Sequence, residues 1–118
     1  ATGLMVPDAL TAARELKTEG TGARALDMHT IKPLDTQAVL SAARETGCLV
    51  TAEEHNVLGG LGGAVAEAVT EASPVPVVRV GVKDTFGRSG KALELLKLYH
   101  LTKDDLKAAV KQAIAMKA

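Results

Sequence analysis

The sequence predicts an α/β domain in which a mostly parallel sheet is covered by helices on both faces. Helical and strand-like patterns alternate along the 118 residues, and such an order is typical of parallel sheets with crossover helices. Hydrophobic residues make up 47% of the chain and aromatic residues 2%, so Ala, Val, Leu and Ile must build the core. The length fits one domain, residues 1–118.

The first helix is predicted over residues 7–18, because apolar residues recur on one face and Gly20 ends the pattern. Residues 23–29 follow as a short alternating strand. The opening segment, residues 1–3, resembles the end of a strand whose body lies upstream. We therefore expect the sheet to lack its first strand or strands.

The second helix has a suitable N-cap in Asp35 and a suitable C-cap in Gly47. The apolar run 48–52 then predicts a strand that is buried on both faces. A helix over about residues 61–72 and a strand over 77–82 continue the alternation.

The last part of the chain predicts a polar loop over residues 84–90 and two helices, the first over residues 91–99. Thr102 and Asp105 resemble a capping box before the final helix.

The composition of the chain excludes several classes of function. Lysine and arginine number 14, aspartate and glutamate also 14, and the net charge is zero, so no basic surface for nucleic acid is predicted. The sequence contains no run of about 18 apolar residues, so no membrane span is predicted. The single cysteine, Cys48, excludes an internal disulfide, and together these features predict a cytoplasmic protein.

The glycine cluster Gly59–Gly63 lies where a strand passes into a helix. Free backbone N–H groups at a helix N-terminus bind anions, so a phosphate site is one interpretation. The other is a tight turn with close contact between helix and sheet. The complete nucleotide-binding spacing of glycines is not present, and neither is a P-loop.

Glu53, Glu54 and His55 lie at the carboxyl end of the predicted buried strand, where ligands of α/β sheets collect. A carboxylate and an imidazole could act as a base and its orienting group. The alternative is a hydrogen-bonded anchor or an interface contact.

The other candidates form no catalytic motif. Lys32 is a possible anion contact or an ordinary exposed lysine, and Ser89 is a possible nucleophile or the N-cap of the helix at Lys91. Metal binding is not predicted, because the possible ligands lack zinc-site spacing. These ligands are His29, Cys48, His55 and His100, and Cys48 is expected to be an inert core residue.

Four ordered segments nevertheless resemble the motifs of transketolase C-terminal domains, and with the opening residues the resemblance extends over essentially the whole chain. The opening Ala-Thr-Gly resembles the family's passage from a strand into the first helix. The four segments are LDMHTIKPLD at 26–35, VTAEEH with GGLG at 50–55 and 59–62, VGVKDTFGRSG at 80–90, and LL at 95–96 with YHLT at 99–102.

This resemblance implies a three-layer α/β/α fold with a mixed five-stranded sheet. Two of its strands precede the first helix, and they are absent here or reduced to residues 1–2. It also implies a role in a cytoplasmic, homodimeric transferase of the pentose phosphate pathway. Such an enzyme transfers a two-carbon ketol unit between sugar phosphates with thiamine diphosphate and Mg²⁺ or Ca²⁺. The family's third domain supplies no established cofactor ligand, so no catalytic, cofactor-binding or metal-binding residue is assigned, and the domain alone is expected to be inactive.

Two alternatives remain. The domain resembles the third domains of 1-deoxyxylulose-5-phosphate synthases and of 2-oxo acid dehydrogenase β subunits, although Thr30-Ile31 and Ser89-Gly90 favour transketolase. It could instead be a free-standing module that binds a phosphate or nucleotide at Gly59–Gly63. The partners implied are the other transketolase domains, on the same chain or on a separate subunit.

Overall fold

The computed structural model describes residues 1–3, 5–28, 33–56, 60–82 and 101–117, apart from the side chains of 54–56 and 82. Within these ranges it has four helices and two strands. The elements are α1 (Met5–Thr18), α2 (Thr36–Thr46), β1 (Leu49–Asn56), α3 (Leu61–Ala72), β2 (Val77–Val82) and α4 (Lys103–Ala115).

The two strands pair in parallel, as the alternating pattern predicts. Leu49 lies opposite Val77 and Ala52 opposite Val80, and the register shifts between Ala52 and Asn56. Helix α3 connects the two strands, which makes the unit a βαβ crossover. The predicted α/β class is therefore confirmed.

Helices lie on both faces of the sheet, and each face has its own hydrophobic core. On one face α1 and α4 pack on the strands, around Met5, Leu101 and Leu106. On the other face α2 and α3 pack on the strands, around Val39, Leu61 and other aliphatic side chains. This arrangement is the expected three-layer sandwich, built almost entirely from aliphatic side chains.

The local capping signals are confirmed. The Asp35 side chain accepts a hydrogen bond from the Ala38 N–H at 3.1 Å and begins α2. Gly47 ends α2 with a φ of 77°, a left-handed conformation that glycine adopts without steric cost. Thr102 and Asp105 form the complete capping box at the start of α4.

Helix α1 begins at Met5, two residues before the predicted start at residue 7. Pro7 therefore lies inside the first turn of the helix. Proline is tolerated there, because the first N–H groups of a helix have no partner within it.

The prediction of a regular strand at 23–29 is wrong for its described part, residues 23–28, which has no assigned strand. Its extended backbone has a short partner instead. The Met28 N–H donates to the Ala1 carbonyl at 2.9 Å, and the Ala1 amino group donates to the Leu26 carbonyl at 3.0 Å. The Thr2 N–H donates to the Ala52 carbonyl at 3.1 Å, so residues 1–2 lie between this segment and β1.

The predicted helix over 91–99 and the polar loop over 84–90 lie outside the described residues. In the part of the chain that the structure describes, no helix is both long and apolar enough to span a membrane.

Candidate functional site

The carboxyl end of β1 carries Glu53, whose side chain is directed into the protein and is 0% exposed. Its two carboxylate oxygens accept hydrogen bonds from the backbone N–H groups of Leu61 at 2.8 Å and Gly62 at 2.7 Å. These N–H groups begin α3 and have no partner within the helix. The interpretation of Glu53 as a hydrogen-bonded anchor is therefore confirmed.

Helix α3 needs this external cap because its N-cap residue is Gly60, which makes no side-chain capping bond. The N-terminus of a helix carries partial positive charge and favours an anion. Here the anion is the carboxylate of the preceding strand. Both of its oxygens already have donors, and the position where a phosphate would meet these N–H groups is occupied by Glu53.

Gly62 brings α3 close to the sheet. A Cβ atom at this position would lie 2.8 Å from Arg79 Cγ and Cδ and 2.9 Å from Thr51 Oγ1. Gly63, the next residue, has open space at the same point. The interpretation of the glycine cluster as a close helix–sheet contact is confirmed at Gly62, while Gly59 lies outside the described residues.

Thr51 was not singled out in the sequence, yet it lies beside this contact. It is 4% exposed, and its hydroxyl oxygen has no hydrogen-bond partner among the groups that the structure describes. Buried hydroxyl groups without a partner are uncommon. The only sequence signal is a threonine in the middle of an apolar run.

A groove separates residues 22–28 from β1. The groove has a volume of about 360 Å³, and residues of α2, α3 and the end of α4 also line it. Apolar side chains such as Met28, Val39 and Val65 line it, together with half-buried Cys48. The sequence predicts that Cys48 is an inert core residue. In the structure Cys48 lies just before β1 and is only half-buried.

The amino group of Ala1 lies at the inner end of this groove. Burial lowers the pKa of this amino group, and the negative charges of Asp27 and Glu53 oppose that shift. This amino group donates a hydrogen bond to the Leu26 carbonyl at 3.0 Å.

A row of ion pairs joins α1 to α4 on the surface. Glu15 pairs with Lys103 at 2.6 Å and Lys107 at 3.2 Å, and Glu19 pairs with Lys107 at 2.7 Å and Lys111 at 3.6 Å. Hydrogen bonds from these lysines lower the pKa of both glutamates. Exposed pairs of this kind contribute little stability each.

The other predicted candidates are not brought together. The backbones of Glu54 and His55 belong to β1, but their side chains are not described. No group of three potential metal ligands forms among the described residues. Several candidates lie outside the described part of the chain altogether: His29, Lys32, Ser89 and His100.

Fold and site together define a class of protein. It is a three-layer α/β domain in which the buried carboxylate of Glu53 caps the helix that follows its strand. The chain belongs to the transketolase C-terminal domain family, whose model, "Transketolase, C-terminal domain", matches residues 1–106.

Relatives agree with this assignment. The chain is 47% identical over 117 residues to the 6-deoxy-6-sulfo-D-fructose transketolase subunit SqwH of Clostridium sp. (strain MSTE9), which matches 99% of this chain and 36% of that protein. It is 46% identical over 102 residues, 86% of this chain and 31% of the relative, to a putative transketolase C-terminal section of Methanocaldococcus jannaschii. It is 44% identical over 110 residues, 92% of this chain and 18% of the relative, to the transketolase of Rattus norvegicus.

The fold is similar to a solved structure described as a split gene transketolase, inactive beta4 tetramer. The TM-score is 0.95 at 50% sequence identity, over 99% of this chain and 38% of that one. The expected transketolase C-terminal fold is thus confirmed. The chain spans about a third or less of the relatives it matches.

Proposed function

We propose that this chain is the C-terminal structural and dimer-supporting domain of a transketolase. The complete enzyme transfers a two-carbon ketol unit between sugar phosphates with thiamine diphosphate. The observation that carries this proposal is the family match over residues 1–106, together with relatives that are named as transketolases or their subunits.

The proposed role is structural because the described residues do not fit the cofactor. A diphosphate needs free donors, and the N–H groups of Leu61 and Gly62 already bind the Glu53 carboxylate. A Mg²⁺ or Ca²⁺ ion needs several oxygen ligands, and the described residues hold no such cluster. We therefore assign thiamine diphosphate and its metal ion to the other domains of the enzyme.

The proposed partner is the remainder of a transketolase, on the same chain or on a separate subunit. Support for a separate subunit comes from two relatives that are named as subunits. One is SqwH, and the other is an apulose-4-phosphate transketolase subunit of Phocaeicola vulgatus, which is 42% identical over 106 residues, 90% of this chain and 34% of that one. The solved structure is named as a tetramer of beta chains. In the complete enzyme we propose a homodimeric core to which this domain contributes contacts.

The proposed setting is the cytoplasm, in the pentose phosphate pathway. Cys48 is a free thiol that is half-buried in the groove. Free thiols are usual where the cytosol keeps them reduced. The resemblance to transketolases supports the proposal of this pathway, because their ketol transfer acts on sugar phosphates.

A second chemistry is favoured by one relative. The chain is 41% identical over 97 residues to 1-deoxy-D-xylulose-5-phosphate synthase 1 of Geobacter sulfurreducens, which matches 80% of this chain and 15% of that one. Similar third domains therefore occur in enzymes with different reactions.

The deciding experiment is an assay of the complete enzyme that contains this domain. We expect transfer of a ketol unit from a ketose phosphate to an aldose phosphate and no release of CO₂ from pyruvate. Consumption of pyruvate with CO₂ release, and no ketol transfer, would instead support the synthase. A preparation without thiamine diphosphate is the control for either reaction.

A further inference from the structure

We draw no further inference here: the strongest candidate, the apolar groove between residues 22–28 and β1, restates the place that the family fold gives to another strand of the sheet, and nothing else in the structure shows what covers it.

Discussion

Replacing Glu53 with alanine removes the cap of α3 and leaves two buried N–H groups without an acceptor. Glu53 is 0% exposed, and it accepts from Leu61 and Gly62 at 2.8 and 2.7 Å. A hydrogen bond to a charged group contributes about 1.5–3 kcal/mol, so the two together contribute about 3–6 kcal/mol. Because a domain is stable by only about 5–15 kcal/mol, this substitution should remove a large part of the stability.

Urea unfolding of the parent chain and of Glu53→Ala measures this loss directly. For a domain of this size the loss corresponds to a fall in the midpoint of thermal unfolding on the order of 10–20 °C. Glu53→Gln keeps one acceptor oxygen but places an amide donor beside an N–H group, so its loss should be intermediate. The matched control is Glu67→Ala on the exposed side of α3, which should change stability by less than about 0.5 kcal/mol.

Unfolding of Glu53→Ala at the same urea concentration as Glu67→Ala would contradict the stabilising role of the Glu53 carboxylate. That result would mean that water or a rearranged α3 replaces the carboxylate at no cost. If Glu53→Ala does not fold at all, Glu53→Gln still provides the test, since its loss must lie between the parent and complete unfolding.

Two further predictions concern other parts of the domain. Gly62→Ala should destabilise the fold by about 1–3 kcal/mol, because the added methyl group overpacks against the sheet. Gly63→Ala is the control, since there is open space at that position, and it should be neutral or stabilising. Urea unfolding measures both variants, and equal effects on stability would contradict the close contact at Gly62. The ion pairs hold the pKa of Glu15 and Glu19 below the ordinary value in the folded state, so their stabilisation is present above the ordinary glutamate pKa and is lost as the pH falls through the lowered pKa. The double variant Glu15→Gln, Glu19→Gln should therefore lose less stability than the parent between neutral pH and about pH 3, and an identical pH dependence would refute this.

The sequence predicts correctly those features that depend on residues close together in the chain. The caps of α2 at Asp35 and Gly47 and the capping box of α4 depend on residues within one helical turn, so short motifs identify them. The parallel strands β1 and β2 with a helix between them, which decide the α/β class, also follow from periodicity within each segment.

The sequence does not predict those features that depend on contacts between residues far apart in the chain. Residues 23–28 alternate like a strand, but a strand needs a neighbour along its length, and the backbone hydrogen bonds of Leu26 and Met28 go to the single residue Ala1. Strand β1 extends to Asn56, past the apolar run that predicts its end at residue 52, because its partner β2 continues beside it. An acidic residue inside the strand is stable there only because α3 returns to meet it.

The candidate site was likewise predicted from the sequence only in part. The sequence indicated that Glu53 and the glycine cluster share one edge of the sheet, since both follow the same strand. It left open whether the N–H groups of α3 bind a phosphate or a protein group. The buried position of Glu53 and its hydrogen bonds with the Leu61 and Gly62 N–H groups are properties of the folded chain, which neighbouring residues in the sequence do not reveal.

The central claim is that this domain supports a transketolase without holding its cofactor, and isothermal titration calorimetry tests it most directly. Thiamine diphosphate and Mg²⁺ are titrated into the isolated chain, whose cooperative thermal unfolding first shows that it is folded, and into the complete enzyme. We expect saturable binding by the complete enzyme and only heat of dilution with the isolated domain. Saturable binding of thiamine diphosphate to the isolated domain would contradict it.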